Sequence, residues 1–430
     1  MNIEATSASS EANNALAEMR SVWQSECPPL LRAYQERKLA RVWDIAKSSR
    51  AYSHLGRFSV GAFQQLDVTS KAALKARPDD FESSLIEQAV KYYESTGTTG
   101  TATPTRRTAE DIAWNYGSVF LQWGEVIRPN DRCLTLLPSD IAPIGDLIVG
   151  VCEMASACVA RCFPFTQGIV SWDRIEALCS RFQPTVVFAS PGTLIQMMRV
   201  FKIRGTFRSC AASVNTIMLS GEVVCRELRQ MLASEWDADV YVASYGSTET
   251  GTIAATGSDN SLRLLEYAYI CEISTPEGIK PAEPGDCGQL VITTLNAFAR
   301  PLLRFDTGDR VKILGDTSSS RKYLEILGRE EETLGIGSRN YLTAEVDSMV
   351  YNTKGVTGYL LKVRNNEVVG IILEHDPDYS DRLDELSKNA ARSFRDHGLN
   401  FELEIVAQLP ITTKSGASLK SWKRSNAVAA

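Results

Sequence analysis

Ser95-Thr96-Gly97-Thr98-Thr99-Gly100 packs four hydroxyls and two glycines into six residues, and Thr101-Ala102-Thr103-Pro104-Thr105 extends the run. Successive N–H groups in such a stretch form a concave nest for an anion, glycine lets the backbone come close, and hydroxyls bond the anion's oxygens. The chemistry is phosphate binding, with a flexible Ser/Thr/Gly tether as the plain alternative. Neither Gly-Lys-Ser/Thr nor G-x-G-x-x-G is present, so the loop is not a Walker A loop or a dinucleotide fingerprint. Two other clusters share its character. Leu219-Ser220-Gly221-Glu222 sets a carboxylate at a Ser-Gly turn, and Ser244-Tyr245-Gly246-Ser247-Thr248-Glu249-Thr250-Gly251 adds an aromatic ring and an acid. A ring stacks on a base, hydroxyls bond phosphate, and a carboxylate such as Glu249 holds Mg²⁺ through oxygen. Each cluster alone also reads as an ordinary loop. Thr307-Gly308-Asp309 reads by itself as a surface hairpin turn.

The elements around these residues must position them. An apolar, aromatic segment (Ala89, Val90, Tyr92, Tyr93) leads into the first loop and a helix over 109–123 follows, so the expected order is strand, loop, helix. Beyond it, strands at 132–137, 160–165, 185–189, 214–219 and 239–243 alternate with helices at 144–157, 172–181, 193–201 and 225–236. Short apolar strands between such helices imply a parallel sheet covered on both faces, with ligands beyond the carboxyl ends of its strands. The two acid-bearing clusters both follow strands of this run. From 262 to 327 the pattern changes to short alternating strands and turns, implying a β-rich subdomain. After Gly328-Arg329-Glu330-Glu331-Glu332 comes a smaller unit. It comprises a helix at 343–351, strands at 358–363 and 368–373 joined by Asn365-Asn366, a helix at 380–397 and a strand at 401–406. Leu383, Leu386, Ala390, Ala391 and Phe394 share one face of the last helix. Upstream, 12–49 reads as two helices separated at Pro28-Pro29, with no chemistry of its own. The fold class is α/β: a large N-terminal domain with parallel, helix-covered sheets and a β-rich subdomain, then a small C-terminal α+β ferredoxin-like domain. The boundary falls between 1–328 and 329–430.

Composition narrows the function. The 430 residues are 44% hydrophobic and 23% charged, with a net charge of -6 and no basic footprint for nucleic acid or acidic lipid. Residues 1–14 lack a basic and then apolar leader, and the apolar stretch 144–159 is short and interrupted by Asp146 and Glu153; neither a signal peptide nor a membrane span is expected. Ten scattered cysteines suit buried thiols in a reducing cytoplasm. Cys158 and Cys162 have no second pair beside them, and with only His54, His375 and His397 in the chain a zinc site is not expected.

Taken in order, the loops resemble those of the acyl-adenylate-forming (ANL) superfamily and, within it, the phenylacetate-CoA ligase-like branch. Ser95 to Gly100 resembles the family's phosphate loop. Ser220-Gly221-Glu222 resembles its adenine-side turn, with Val223 in place of the usual proline. Tyr245-Gly246-Ser247-Thr248-Glu249 is similar to the aromatic-Gly-x-Ser/Thr-Glu motif. That likeness implies Tyr245 and Gly246 at adenine, Thr248 at the α-phosphate and Glu249 on Mg²⁺. Thr307-Gly308-Asp309 resembles the Thr-Gly-Asp motif, implying Asp309 on the ribose hydroxyls. Gly328-Arg329 resembles the Gly-Arg motif, with Glu331 near the hinge acid. The segment 67–74 is similar to the branch's Thr-Lys-x-x-Leu entry.

The resemblance implies ATP and Mg²⁺ as cofactors and a mobile C-terminal domain. It implies adenylation of a carboxylic acid with release of pyrophosphate, then acyl transfer to coenzyme A, a carrier-protein thiol or an amine. It also implies a lysine directly after a glycine near the C-terminus, yet Ser415-Gly416-Ala417-Ser418-Leu419-Lys420 places Ala417 there. Three readings stand: Lys420 or Lys414 reaches the site, the position has been substituted, or adenylation is weak. On the acid side, Ser139, Asp140, Ile144, Gly145, Ser190, Ala243, Ser244 and Gly246 are candidates to wall a compact pocket suited to an aromatic acid. Asp140 either answers a polar substituent or caps the next helix. The expected protein is a cytoplasmic monomer or homodimer. The rival reading is a nucleotide-binding, non-catalytic homologue that lost the lysine.

Overall fold

The computed structural model describes residues 5–25, 27–95, 102–166, 168–316, 321–329, 334–336, 339–364, 367–397, 402–409 and 427–429. Helices α1 (Ala5–Ser25) and α2 (Pro28–Ala46) part at the expected proline pair, which starts α2 because proline's missing N–H costs nothing there. Short helices α3 (Val60–Gln64) and α4 (Lys71–Ala76) are capped by Ser59 and Ser70. Strand β1 (Lys91–Glu94) then pairs antiparallel with β2 (Pro104–Arg107), Tyr93 opposite Thr105. The expected strand-loop-helix order is therefore corrected to strand, loop, strand, helix. β2 is too short to reveal itself by alternation, although Thr105 and Arg107 are its buried positions. Helix α5 (Ala109–Trp123) follows, as expected, with Thr108 and Asp111 in a reciprocal cap.

The alternating region keeps the expected order, with its second strand at 158–161 and not 160–165, and with a short helix at 207–211 that was not expected. Strands β3 (Arg132–Thr135), β4 (Cys158–Arg161), β5 (Val186–Ala189), β6 (Thr216–Leu219) and β7 (Asp239–Val242) make a wholly parallel sheet in the order β4-β3-β5-β6-β7. Between them run α6 (Pro143–Met154), α7 (Trp172–Phe182), α8 (Pro191–Ile203), α9 (Phe207–Ala211) and α10 (Arg226–Trp236). All of β5 is buried, which is why it reads as a continuous apolar run.

The antiparallel region begins earlier than expected. Strands β8 (Ser244–Ser247), β9 (Gly251–Thr256), β10 (Leu262–Leu264), β11 (Tyr269–Thr275), β12 (Gly278–Pro281), β13 (Cys287–Thr294), β14 (Phe305–Gly315) and β15 (Lys322–Arg329) form one sheet, ordered β12-β11-β13-β14-β15-β10-β9-β8. The Tyr245 segment is thus a strand and not a loop. Likewise Thr307-Gly308-Asp309 is not a hairpin turn: it bulges inside β14, where Arg310 still pairs with Gln289 and Asp306 with Val291, and Gly308 takes a φ of 72°.

After β16 (Leu334–Ile336) and β17 (Arg339–Tyr341) come α11 (Thr343–Tyr351), β18 (Val356–Arg364), β19 (Glu367–His375), α12 (Leu383–Asp396), β20 (Glu402–Val406) and β21 (Ala427–Ala429). Their four-stranded sheet is ordered β20-β19-β18-β21, an α+β arrangement in which β18 and β19 pair antiparallel; the Asn365-Asn366 turn between them lies outside the described residues. Leu386, Ala390 and Phe394 of α12 are buried as expected, but Leu383, at the helix's first residue, is exposed.

By contacts the chain packs into two compact units. The first comprises Met1–Pro129, Pro138–Ala157 and Ala243–Ile326; the second comprises Asn130–Leu137, Cys158–Val242 and Leu327–Ala430. In the second, α8 presents two cations to the C-terminal segment. Arg199 pairs with Glu374 at 3.3 Å and donates to Thr357 Oγ1 at 2.6 Å and to the carbonyls of His375 and Ala407. Lys202 meets Glu235, Asp376 and Asp378 at 2.6, 2.8 and 2.9 Å. These contacts give α8 two buried cations beside its apolar residues.

Candidate functional site

In the first unit, the hairpin β1–β2 carries the Gly-rich loop. Ser95 N–H donates to the Thr103 carbonyl at 3.0 Å, and Thr103 N–H returns a bond to Ser95 Oγ at 2.8 Å. This closes the base of the loop. Thr96, Gly97, Thr98, Thr99 and Gly100 lie outside the described residues.

The β8–β9 hairpin carries the aromatic and the acid. Tyr245 is buried, and its hydroxyl donates to Asp309 Oδ2 at 2.7 Å although 64 residues separate them. Tertiary structure thus joins the two residues assigned to the base and sugar of a nucleoside. Gly246 is needed for a close approach, since a Cβ there would stand 2.1 Å from the Gly251 carbonyl oxygen across the hairpin. The turn between them is closed by Ser247 and Thr250, each N–H donating to the other's hydroxyl at 3.2 Å. Thr248 is half-buried, and Glu249 is only 5% exposed. Behind the turn, Arg107 Nη2 donates to the Thr248 and Glu249 carbonyls, both at 3.0 Å.

The acid-side candidates divide. Gly145, in the first turn of α6, packs so tightly against the preceding segment that a Cβ would lie 2.6 Å from Ser139 Cα. Ile144 is half-buried beside it, and Asp140 is exposed. Asp140 does not cap α6: the cap position is Ala142, with no side-chain bond. Ala243 is wholly buried, its carbonyl accepting from Trp123 Nε1 at 2.8 Å and from Thr256 N–H at 3.0 Å. Ser244 is half-buried at the start of β8.

The other candidates belong to the second unit. Ser190 is fully buried and caps α8, its Oγ accepting from Thr193 N–H at 3.2 Å. Ser220 N–H extends the parallel ladder to the Ala189 carbonyl at 3.0 Å. Gly221 then takes a φ of 93°, a left-handed value that suits glycine, and leads to the half-buried Glu222. Arg329 ends β15, half-buried. Glu331, Ala417, Lys414 and Lys420 lie outside the described residues.

Several site-building residues escaped the sequence reading. Tyr93 on β1 donates to Asp146 of α6 at 2.9 Å, and Lys91 pairs with the same carboxylate at 3.0 Å. Burial and the Asp146 charge push the Tyr116 hydroxyl beside them up to about 12. Arg300, wholly buried, donates to Thr105 Oγ1 at 2.9 Å and to Pro104 O and Glu82. Burial, outweighing Glu82, holds this guanidinium below its ordinary value. The signal for Arg107 and Arg300 was weak: a charged residue at an inward position of a short strand, and an Arg-Pro before one.

Among the described residues, no cluster of three or more His, Cys, Asp or Glu side chains is arranged to hold a metal ion. Glu249 alone suits Mg²⁺ brought in on a nucleotide, since that ion is commonly held by one or two carboxylates together with substrate phosphates. None of the described helices is long and apolar enough to cross a membrane.

No protein-family profile matches the sequence. The chain is 22% identical over 286 residues to phenylacetate-coenzyme A ligase of Escherichia coli (strain K12), an alignment covering 64% of this chain and 62% of that one. The match thus spans less than two thirds of that relative's length. Among solved structures, 2-hydroxyisobutyryl-CoA ligase in the postadenylation state with 2-HIB-AMP superposes with a TM-score of 0.72 at 18% identity, covering 97% of this chain and 89% of that chain. The anthranilate CoA ligase AuaEII with anthranoyl-AMP gives a TM-score of 0.54 at 17% identity, covering 79% and 66%.

Proposed function

We propose that this chain, which carries the fold of the acyl-adenylate-forming (ANL) superfamily, is an ATP-dependent ligase that adenylates an aromatic carboxylic acid and passes the acyl group to coenzyme A. One observation carries the reading. The Tyr245–Asp309 hydrogen bond sits on the strand that leads into Thr248 and Glu249, and the return strand of the phosphate-loop hairpin holds that turn. Three motifs distant in sequence thereby occupy one unit.

In this mechanism the substrate carboxylate oxygen attacks the α-phosphorus, the bond to the pyrophosphate oxygen breaks, and the mixed anhydride forms. The loop Ser95 to Gly100 holds the departing phosphates, Tyr245 and Gly246 face the adenine, Asp309 takes the ribose hydroxyls, and Thr248 bonds the α-phosphate. Ser220, Gly221, Glu222 and Arg329 are the further candidates for nucleotide binding that the resemblance implies. Mg²⁺, held by Glu249 and the phosphates, would spread the charge that builds at phosphorus. Preorganised donors serve the same end without reorganising during the reaction. Ser139, Asp140, Ile144, Gly145, Ser190, Ala243, Ser244 and Gly246 are the candidates to contact the acyl group; Gly145 and Gly246 themselves serve close backbone packing, a Cβ there standing 2.6 Å from Ser139 Cα and 2.1 Å from the Gly251 carbonyl oxygen.

The acceptor is taken as coenzyme A because the similar proteins include CoA ligases of phenylacetate and anthranilate. A carrier-protein thiol or an amine remains the second choice of acceptor. The proposed division sets a 1–328 body against a mobile 329–430 domain hinged near Glu331, as monomer or homodimer in the cytoplasm. A second reading rests on Ala417, which stands where the resemblance implies a lysine: a nucleotide-binding protein without turnover. In the enzyme reading Lys420 supplies the cation.

Exchange of labelled pyrophosphate into ATP, driven by a panel of aryl acids, tests the proposal. Exchange with at least one aromatic acid is expected, and Ala417→Lys raises it. No exchange with any acid, in the native chain and in Ala417→Lys alike, overturns the enzyme in favour of the binding protein.

A further inference from the structure

We propose that Arg107 is a positioning residue that fixes the turn carrying the Glu249 carboxylate against β2. The inference rests on the adenylating reading above and adds a part that lies outside the motifs. Arg107 ends β2, the strand by which the loop returns, and its side chain is buried. One terminal nitrogen donates to two consecutive carbonyls, those of Thr248 and Glu249, both at 3.0 Å. Burying a guanidinium is costly, and a tight turn can satisfy its carbonyls with water or a short neutral side chain. What the long cation provides is a fixed link between two segments 141 residues apart.

The rest of the hairpin is built to make that link rigid. Arg300 bonds β2 at Thr105 and Pro104, two and three residues before Arg107. On the other strand, Tyr93 bonds Asp146, and Glu94 N–H donates to the Ile141 carbonyl at 3.1 Å. Both strands beneath the loop are therefore anchored, and Arg107 anchors one of them to the turn carrying the Glu249 carboxylate. A carboxylate and a phosphate that share one Mg²⁺ must keep a spacing fixed by the ion's octahedral shell, with bonds of about 2 Å. Arg107 acts through the main chain of Thr248 and Glu249 and touches neither the metal nor the phosphate.

The test is a Mg²⁺ titration of ATP binding and of pyrophosphate exchange in the native chain, Arg107→Lys and Arg107→Met. Loss of an outer partner of a metal ligand typically weakens the metal site by ~10–100-fold. The half-saturating Mg²⁺ concentration is expected to rise by about tenfold or more in Arg107→Met, with a smaller rise in Arg107→Lys, whose single ammonium still reaches a carbonyl. KM for the acid is expected to move by less than about twofold, because uniform substrate binding is untouched. A merely structural arginine would lower the unfolding midpoint and leave the Mg²⁺ dependence alone; that result, in a folded variant, overturns the proposal. If Arg107→Met does not fold, Arg107→Lys decides by the same criterion. A native chain that binds ATP but exchanges no pyrophosphate overturns the ligase reading, while the Mg²⁺ dependence of ATP binding still judges Arg107. A native chain that binds no ATP overturns both.

Discussion

Tyr245 and Asp309 are the pair on which the nucleotide reading turns, and their hydrogen bond has a consequence for binding. The Tyr245 hydroxyl occupies one carboxylate oxygen of Asp309; in the proposed nucleotide site this would orient the other oxygen for the ribose and leave the ring face to the base. Removing only the hydroxyl keeps the stacking surface and frees the acid to turn. Tyr245→Phe is expected to weaken ATP binding by about 1 kcal/mol, roughly fivefold, with little change in stability; calorimetric titration with ATP would check it. Equal affinity in the variant would mean that Asp309 does not need its partner. At this scale the sequence was informative about residue identity: Tyr245 and Glu249 were picked from their types, and Asp309 from the resemblance of its motif. It was uninformative about their relation, because nothing local links positions 64 residues apart. Arg107 was missed for the same reason, since its partners lie across the fold.

At the scale of elements, α8 does two jobs. Its N-terminus receives the Ser190 cap at the end of β5, and further along Arg199 and Lys202 reach the C-terminal strands. Hydrogen bonds to Asp376, Glu235 and Asp378 outweigh burial and push the Lys202 ammonium above its ordinary value, so it stays charged. Breaking one side of a buried pair leaves the other charge without compensation, at a cost of about 3–5 kcal/mol. Arg199→Met is expected to destabilise by that order, because the buried Glu374 charge then loses its cation while the neutral donors Thr357 Oγ1 and Leu409 N–H stay. Denaturant unfolding checks it, and a loss under about 1 kcal/mol would show that Glu374 finds another partner or protonates cheaply. Elements were the most legible level in the sequence. Helices such as 109–123 and 343–351 fall where they were read, because their caps and apolar periods are local properties. The four-residue β2 and the strand through Tyr245 were not legible, because four residues are too few to show an alternation and their Gly- and hydroxyl-rich hairpin turns read as loops.

For the whole molecule, one buried acid gives a signature in the unfolding curve. Asp347 of α11 accepts from the Tyr359 hydroxyl at 2.6 Å, yet burial outweighs that bond and lifts its carboxyl to about 7. The folded chain therefore holds a proton that the unfolded chain has already released. Stability from this group is present below the ordinary aspartate range and is lost as pH rises from about 4 to about 7. Unfolding midpoints recorded across that range are expected to show this decline, and Asp347→Asn is expected to flatten it. A variant with the native pH profile would assign the decline to other groups.

The sequence by itself determined the elements of the parallel sheet, the composition that disfavours nucleic-acid and membrane roles, and the residue types competent for phosphate, metal and base. Those follow from local periodicity, turn chemistry and side-chain functional groups. Only the tertiary structure decided that the Gly-rich loop tops a hairpin, that Tyr245 meets Asp309, and that Arg107 and Arg300 underlie the turn and the loop. Such relations depend on strand pairing and buried charge across long separations, where the energy lies in contacts that no single stretch of sequence contains.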